Sequence, residues 1–264
     1  MGNVFDRGTA GQYALWARGP QGQAMDRWLE SCLPGLLRVH PGERALDIGC
    51  GHGSHLLLLK KLGLDISGVD ASPHMIQKAR ERLGHRCELR IAMADELPFE
   101  DNAFDLSVMI HTLEFLENPM EALREAGRVT RRAVFVGVMN SVSLAGLVRK
   151  ISITSPPPPL DRCRYFSLWE LKGLVRAALG SVPVHWHSSS SLQPVIGRVC
   201  SMVTGSRFEP SLPFGTFLGV SADVVYRFKT DNMTLKVPVR SRGRTIPDGA
   251  AMGEHKYIIR SPKP

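Results

Sequence analysis

The 264-residue chain predicts an α/β fold built on a doubly wound, mostly parallel sheet. Three observations carry that expectation. Short apolar runs alternate with helix-prone segments roughly every 20 to 30 residues between Arg44 and Met139. The first run, Ala45-Leu46-Asp47-Ile48, feeds straight into a glycine-rich turn, Gly49-Cys50-Gly51-His52-Gly53. The second run ends on a carboxylate, Asp70, 17 residues after Gly53.

Each element has its own signal. Residues 1–42 read as an N-terminal helical cap, because Ala24, Met25, Trp28, Leu29, Cys32, Leu33, Leu36 and Leu37 recur at helical spacing. Pro34 predicts an interruption there, and Pro41-Gly42 the end. Arg44–Ile48 is short and apolar, as a buried strand should be. Ser54–Lys61 is helix-prone, with Gly63 where a helix would stop. Asp65–Val69 is a second strand. Ser72 as N-cap and Pro73 in the first helical position predict a helix through Arg82. Cys87–Ala92 and Ala103–Ile110 follow as strands, Met120–Val129 as a helix and Ala133–Met139 as a fifth strand. The rhythm then breaks. Residues 141–166 are apolar and basic and run through four prolines, which suggests a lid or insertion. Ser167–Leu179 returns to helix, and Val182–Ser188 and Gly215–Tyr226 read as strands. The main domain thus spans residues 43–229. Residues 230–264 are a polar, Pro- and Gly-bearing extension, with a hairpin expected around Leu235–Arg240.

Composition narrows the classes. With 43% hydrophobic and 22% charged residues, the chain is neither disordered nor fibrous. Of its net +8, +5 lies from Lys229 onward, so the core lacks the basic stripe expected of a nucleic-acid binder. Cys32, Cys50, Cys87, Cys163 and Cys200 are scattered with no CxxC pair, as reduced thiols of a cytoplasmic protein would be, and no metal site is expected. His185-x-His187 has no third ligand nearby. The first residues carry Asp6 and Arg7 and no apolar core, and no run approaches the ~18 residues of a membrane span. Peripheral membrane contact through the apolar, basic lid is the remaining membrane option.

The chemistry concentrates in two turns. Alternating glycines after a buried strand let a ligand approach the backbone, and the following helix N-terminus offers free N–H groups. Ser54 stands where a nicotinamide dinucleotide fingerprint needs its third glycine. The G-x-G-x-G pattern, with Asp47 two residues ahead, suits a smaller zwitterionic ligand. Asp47 can act on an ammonium group through the loop or a water. The bland alternative is a plain tight turn. Asp70, at a strand end, suits a pair of ribose hydroxyls. As a mere helix cap it would be redundant beside Ser72.

ALDIGCGHG, GVDAS, ADELPFEDNAFDLSVM and HTLEFLENPMEALREAGRV, in that order and spacing, resemble the class I S-adenosylmethionine-dependent methyltransferases. The similarity is greatest to the small-molecule, ubiquinone/menaquinone-biosynthesis-like group, from about Tyr13 to about Asn140. It implies a Rossmann-like seven-stranded sheet with an antiparallel last strand, and S-adenosylmethionine as cofactor, left as S-adenosylhomocysteine. By this resemblance Tyr13 and Trp16 match an aromatic pair ahead of the domain. Gly49, Cys50 and Gly51 line the methionyl part, with Asp47 behind them. Asp70 binds the ribose, and Ala71 and Met75 border the adenine. The family's usual aspartate is replaced by Met93, so Ala94 N–H and Asp95 are expected to meet the adenine edge instead. Ile110 and His111 touch the cofactor from the sheet. The implied partner is a small, partly hydrophobic acceptor, with His111 and Glu114 the nearest titratable groups. A second reading is a catalytically silent, cofactor-binding protein on the same fold. An RNA methyltransferase would show an Asn/Asp-Pro-Pro-Tyr-type site where Ile110-His111-Thr112-Leu113 stands.

Overall fold

The computed structural model describes residues 4–143, 147, 163–189 and 212–224. Most of the expected lid, Cys200, and the extension with its hairpin lie outside these residues.

Two helices open the chain, α1 (Arg7–Arg18) and α2 (Pro20–Leu37). Asp6 caps α1 by accepting from Thr9 N at 2.8 Å. Tyr13 and Trp16 therefore lie within a helix. Pro34 does not interrupt α2, contrary to expectation. The helix ends at Leu37, with Arg38 left-handed (φ 47°), so the backbone bond Pro34 cannot donate falls in the final turn.

The sheet contains β1 (Arg44–Ile48), β2 (Asp65–Asp70), β3 (Glu88–Ile91), β4 (Phe104–Ile110), β5 (Thr130–Met139), β6 (Val184–Ser188) and β7 (Phe217–Asp223). Helices α3 (Ser54–Lys61), α4 (Pro73–Leu83), α5 (Pro119–Val129) and α6 (Leu168–Leu179) connect or cover them. Strand order is β3-β2-β1-β4-β5-β7-β6. The first five strands pair in parallel, and β7 runs antiparallel between β5 and β6, as expected for the fold. Both faces are covered. Leu29, Leu33, Leu56, Leu59 and Ile76 from α2, α3 and α4 pack on one, and Leu123, Ala126, Leu171 and Val175 from α5 and α6 on the other. That explains why β1, β4 and β5 are mostly apolar, with Asp47 and Ser107 buried among apolar neighbours.

Several boundaries moved, among them the starts of β6 and β7, at Val184 and Phe217 and not at Val182 and Gly215. β5 begins at Thr130, directly after α5, and not at Ala133. The Thr130 hydroxyl donates to Ala126 O at 2.6 Å and meets the Ser107 hydroxyl, so helix and strand join without a loop. The edge strand β3 is shorter than Cys87–Ala92. A capping box of Ser167 and Glu170 starts α6 as Ser167 suggested. Strand order reverses between β1 and β4, so the crevice at their carboxyl ends is where such a sheet binds ligands.

Candidate active site

The glycine loop is folded back on the sheet. Gly49 N and Cys50 N both donate to Val69 O, at 2.8 and 2.9 Å. Gly49 has φ 76°, and a Cβ there would sit 2.4 Å from Thr112 Oγ1. That hydroxyl is engaged, donating to Ile48 O at 2.9 Å, so position 49 has no room for a side chain. Gly51 (φ 52°) differs. A Cβ there would have the Tyr13 ring 4.0 Å away as its nearest neighbour, so it would protrude into open space above the loop. The sequence keeps that space clear.

Asp70 closes the other side. Its Oδ2 accepts from Gly51 N at 2.9 Å and its Oδ1 from Ser72 N at 2.8 Å, which locks the carboxylate against the loop. Burial raises its pKa, opposed by those two N–H groups. Asp47 lies behind the loop, fully buried, and neither of its oxygens has a hydrogen-bond partner. Burial pushes its pKa up to about 7, against the pull of His55 and with Asp70 adding to the rise. An orphaned buried carboxylate beside a ligand crevice is a place for a cation.

An open crevice lies here, whose empty space together with the solvent at its mouth is about 780 Å³. Tyr13, Gly49, Cys50, Gly51 and Asp70 form one part of its wall, and Ala71, Met75, Met93, Ala94 and His111 another. Four expected residues stand off the wall. Asp47 is behind the loop, Ile110 is in the core, and the Trp16 ring lies 5.0 Å from the His111 ring. Asp95 is exposed in the turn that follows Ala94, where Ala94 and Leu97 occupy the buried positions. Cys50 is buried, and desolvation holds its thiol well above the usual range, which is the opposite of nucleophile activation.

Other residues complete the wall without having been singled out by the motifs. Phe5 and Phe115 meet edge-to-face at 4.9 Å, and the Ser72 hydroxyl donates to the Phe5 carbonyl, tying the segment before α1 to the start of α4. No local pattern marks Phe5, since only chain folding brings it here. His52 and His55 also face the cavity, and their place in the glycine turn and the first turn of α3 could have flagged them. Burial lowers His52 to about 4, so its imidazole is neutral. Outside the cavity, His187 Nδ1 accepts from Trp28 Nε1 at 3.1 Å, while His185 lies 3.6 Å from Asp223.

The cavity fits a nucleoside joined to an amino acid. Gly51 clears its floor, Asp70 presents an anchored carboxylate, apolar side chains flank it, and Asp47 waits uncompensated behind the loop. Comparison with known proteins agrees. Residues 46–136 match a family model described as a methyltransferase domain. The chain is 27% identical over 139 residues to a sterol 4-C-methyltransferase of Caenorhabditis elegans, covering 50% of this chain and 42% of that one. It is 33% identical over 97 residues to a demethylmenaquinone methyltransferase of Tropheryma whipplei, covering 36% and 41%. The chain thus spans less than half the length of either relative. An S-adenosylmethionine-dependent methyltransferase structure from Thermotoga maritima superposes with a TM-score of 0.59 at 24% identity, over 81% of this chain and 94% of that one, which shows the shared fold. Residues 46–136 thus match a methyltransferase domain, and the sheet that carries it has the fold of known S-adenosylmethionine-dependent methyltransferases.

Proposed function

We propose that the chain transfers a methyl group from S-adenosylmethionine to a small, partly hydrophobic acceptor. The observation that carries this reading is the orphaned Asp47 carboxylate behind a glycine loop whose other side is braced by Asp70. In this reading Asp47 balances the ligand's ammonium through the loop, Asp70 accepts from the ribose hydroxyls, and Ala71, Met75, Met93 and Ala94 contact the adenine. Bound there, S-adenosylmethionine supplies a methyl already activated on a sulfonium.

The chain's own task is alignment and exclusion of water. Transfer cancels a positive charge, so a wall made largely of Phe5, Tyr13, Met75, Phe115 and Leu116, which solvates a cation poorly, favours the forward direction. The stretch of wall at Tyr13, His111, Phe115 and Leu116 is left for the acceptor, whose partly hydrophobic character follows from those side chains. Calorimetry with S-adenosylmethionine and S-adenosylhomocysteine tests the first half, with an expected affinity in the micromolar range, on the order of −8 kcal/mol. Labelled methyl donor added to fractionated cell extract tests the second. Label in the small-molecule fraction is expected, and label only in RNA or protein refutes the acceptor class. Tight cofactor binding with no label anywhere points to a silent, cofactor-binding protein.

A further inference from the structure

The crevice has a polar end and an apolar end, and sheet order sets which is which. The glycine loop follows β1, Asp70 ends β2, and Ala92, Met93 and Ala94 follow β3. The order β3-β2-β1 lays these groups side by side along the carboxyl edge. Neighbouring strands lie about 4.8 Å apart, so a nucleoside with its ribose at Asp70 and its amino acid over the glycine loop carries its base to the end of β3. This placement rests on the methyl-transfer reading above. The wall there is Ala71, Met75, Ala92, Met93 and Ala94, and none of these side chains carries nitrogen or oxygen.

The polar side chains flanking this end are committed elsewhere. Ser72 is buried, and its hydroxyl donates to Phe5 O and accepts from Met75 N at 3.3 Å. Asp95 is held away by its turn. Glu96 N donates to Met93 O at 3.3 Å and closes that turn. Leu97 is fixed behind it, its N–H on Glu125 Oε2 at 2.9 Å and its carbonyl on Arg128 Nη2 at 3.0 Å. Asp95 is left exposed and off the wall. The two polar side chains after β4 lie beyond β1. Thr112 donates to Ile48 O, and the His111 ring sits 5.0 Å from Trp16 and 6.5 Å from Phe217.

A purine presents acceptor nitrogens in its rings, and adenine adds one exocyclic donor, the 6-amino group. Backbone can serve the ring nitrogens, since Ala94 N makes no hydrogen bond among the described residues. The amino group needs an acceptor, and the side chain that this turn gives to the wall is a thioether. A thioether is a weak acceptor on a flexible, apolar stem. We propose that Met93 leaves the 6-position of the base unread, so that the site holds its nucleoside by apolar contact and binds a purine lacking the amino group as well as it binds adenine. Met93 then sets base specificity, and what it sets is tolerance.

The test is calorimetry of the full chain with two ligands, S-adenosylhomocysteine and its analogue in which unsubstituted purine replaces adenine. They differ by one amino group and share every ring nitrogen. Affinities within about threefold of each other are expected, because no hydrogen bond is lost. A site with its own acceptor for the amine would be left with that acceptor unpaired and would reject the analogue by roughly 10- to 100-fold. Met93→Asp places a carboxylate at the wall and should create a preference for adenine on the order of tenfold or more, while Met93→Leu should stay indifferent. Met93→Gln, close to methionine in length, supplies an acceptor without charge and stands in if the Asp variant fails to fold, which urea unfolding reports. A wild-type preference for adenine beyond about tenfold overturns the inference, because another acceptor then reads the amine. Indifference persisting in both Asp and Gln variants that bind S-adenosylhomocysteine overturns the role given to Met93. Failure of the wild type to bind either ligand refutes the underlying methyl-transfer reading first, and this inference with it.

Discussion

Replacing Asp47 with Asn should make the cofactor-free protein more stable while weakening its site. The wild-type carboxylate is buried without a hydrogen bond, and its pKa rises from 3.8 in its ordinary state to about 7. A carboxylate whose folded pKa is raised binds its proton more tightly when folded. It therefore destabilises the fold increasingly as pH rises from about 4 to about 7, and by a constant amount above that. At pH 5 the penalty is limited by the short distance from 3.8 to 5, on the order of 1–2 kcal/mol, and at pH 8 it reaches on the order of 4 kcal/mol. Asn carries no such pH dependence. Whatever constant term the amide brings, the stability difference between variant and wild type should therefore grow by about 3 kcal/mol from pH 5 to pH 8. Urea unfolding of both proteins without ligand, at both pH values, measures it directly. A difference that stays flat with pH would refute the orphaned-carboxylate argument. The same variant should bind S-adenosylmethionine more weakly. Wild-type affinity should rise roughly tenfold per unit as pH climbs toward 7, while the Asn variant's stays level.

Three further perturbations follow from the geometry. Asp70→Ala removes the acceptor of the Gly51 and Ser72 N–H groups, and should weaken cofactor binding by roughly 1–3 kcal/mol, read by calorimetry. Unchanged affinity would reject the ribose assignment. Gly49→Ala forces a Cβ toward Thr112 and an unfavourable φ, and should destabilise the fold by about 2–5 kcal/mol in urea unfolding. Arg128 donates to Leu97 O, Phe99 O, Asp101 and Glu125, pinning the segment after the cavity wall at Met93 and Ala94. Arg128→Ala should cost about 1–3 kcal/mol of stability and speed amide exchange from Leu97 to Asn102. Unaltered exchange there would show that the clamp is incidental.

The sequence alone determined the alternating sheet, the glycine loop and Asp70, because these depend on local properties. Apolar periodicity sets the strands, caps such as Ser72 and Ser167 set helix starts, and left-handed backbone calls for glycine at 49, 51 and 53. Spacing then puts Asp47 and Asp70 beside the turn, since neighbouring parallel strands end at one edge. Tertiary structure decided the rest. Phe5 and Phe115 meet across 110 residues of chain, which no periodicity encodes. Asp95 turned to solvent because Ala94 and Leu97 took the buried positions around it. Pro34 was absorbed because α2 ends within a turn of it, while packing of Leu29, Leu33 and Leu37 against the sheet holds the helix through that point. His111 and Glu114 could be read as nearby titratable groups. Their unpaired atoms could not, because whether a buried polar atom finds a partner depends on every element packed around it.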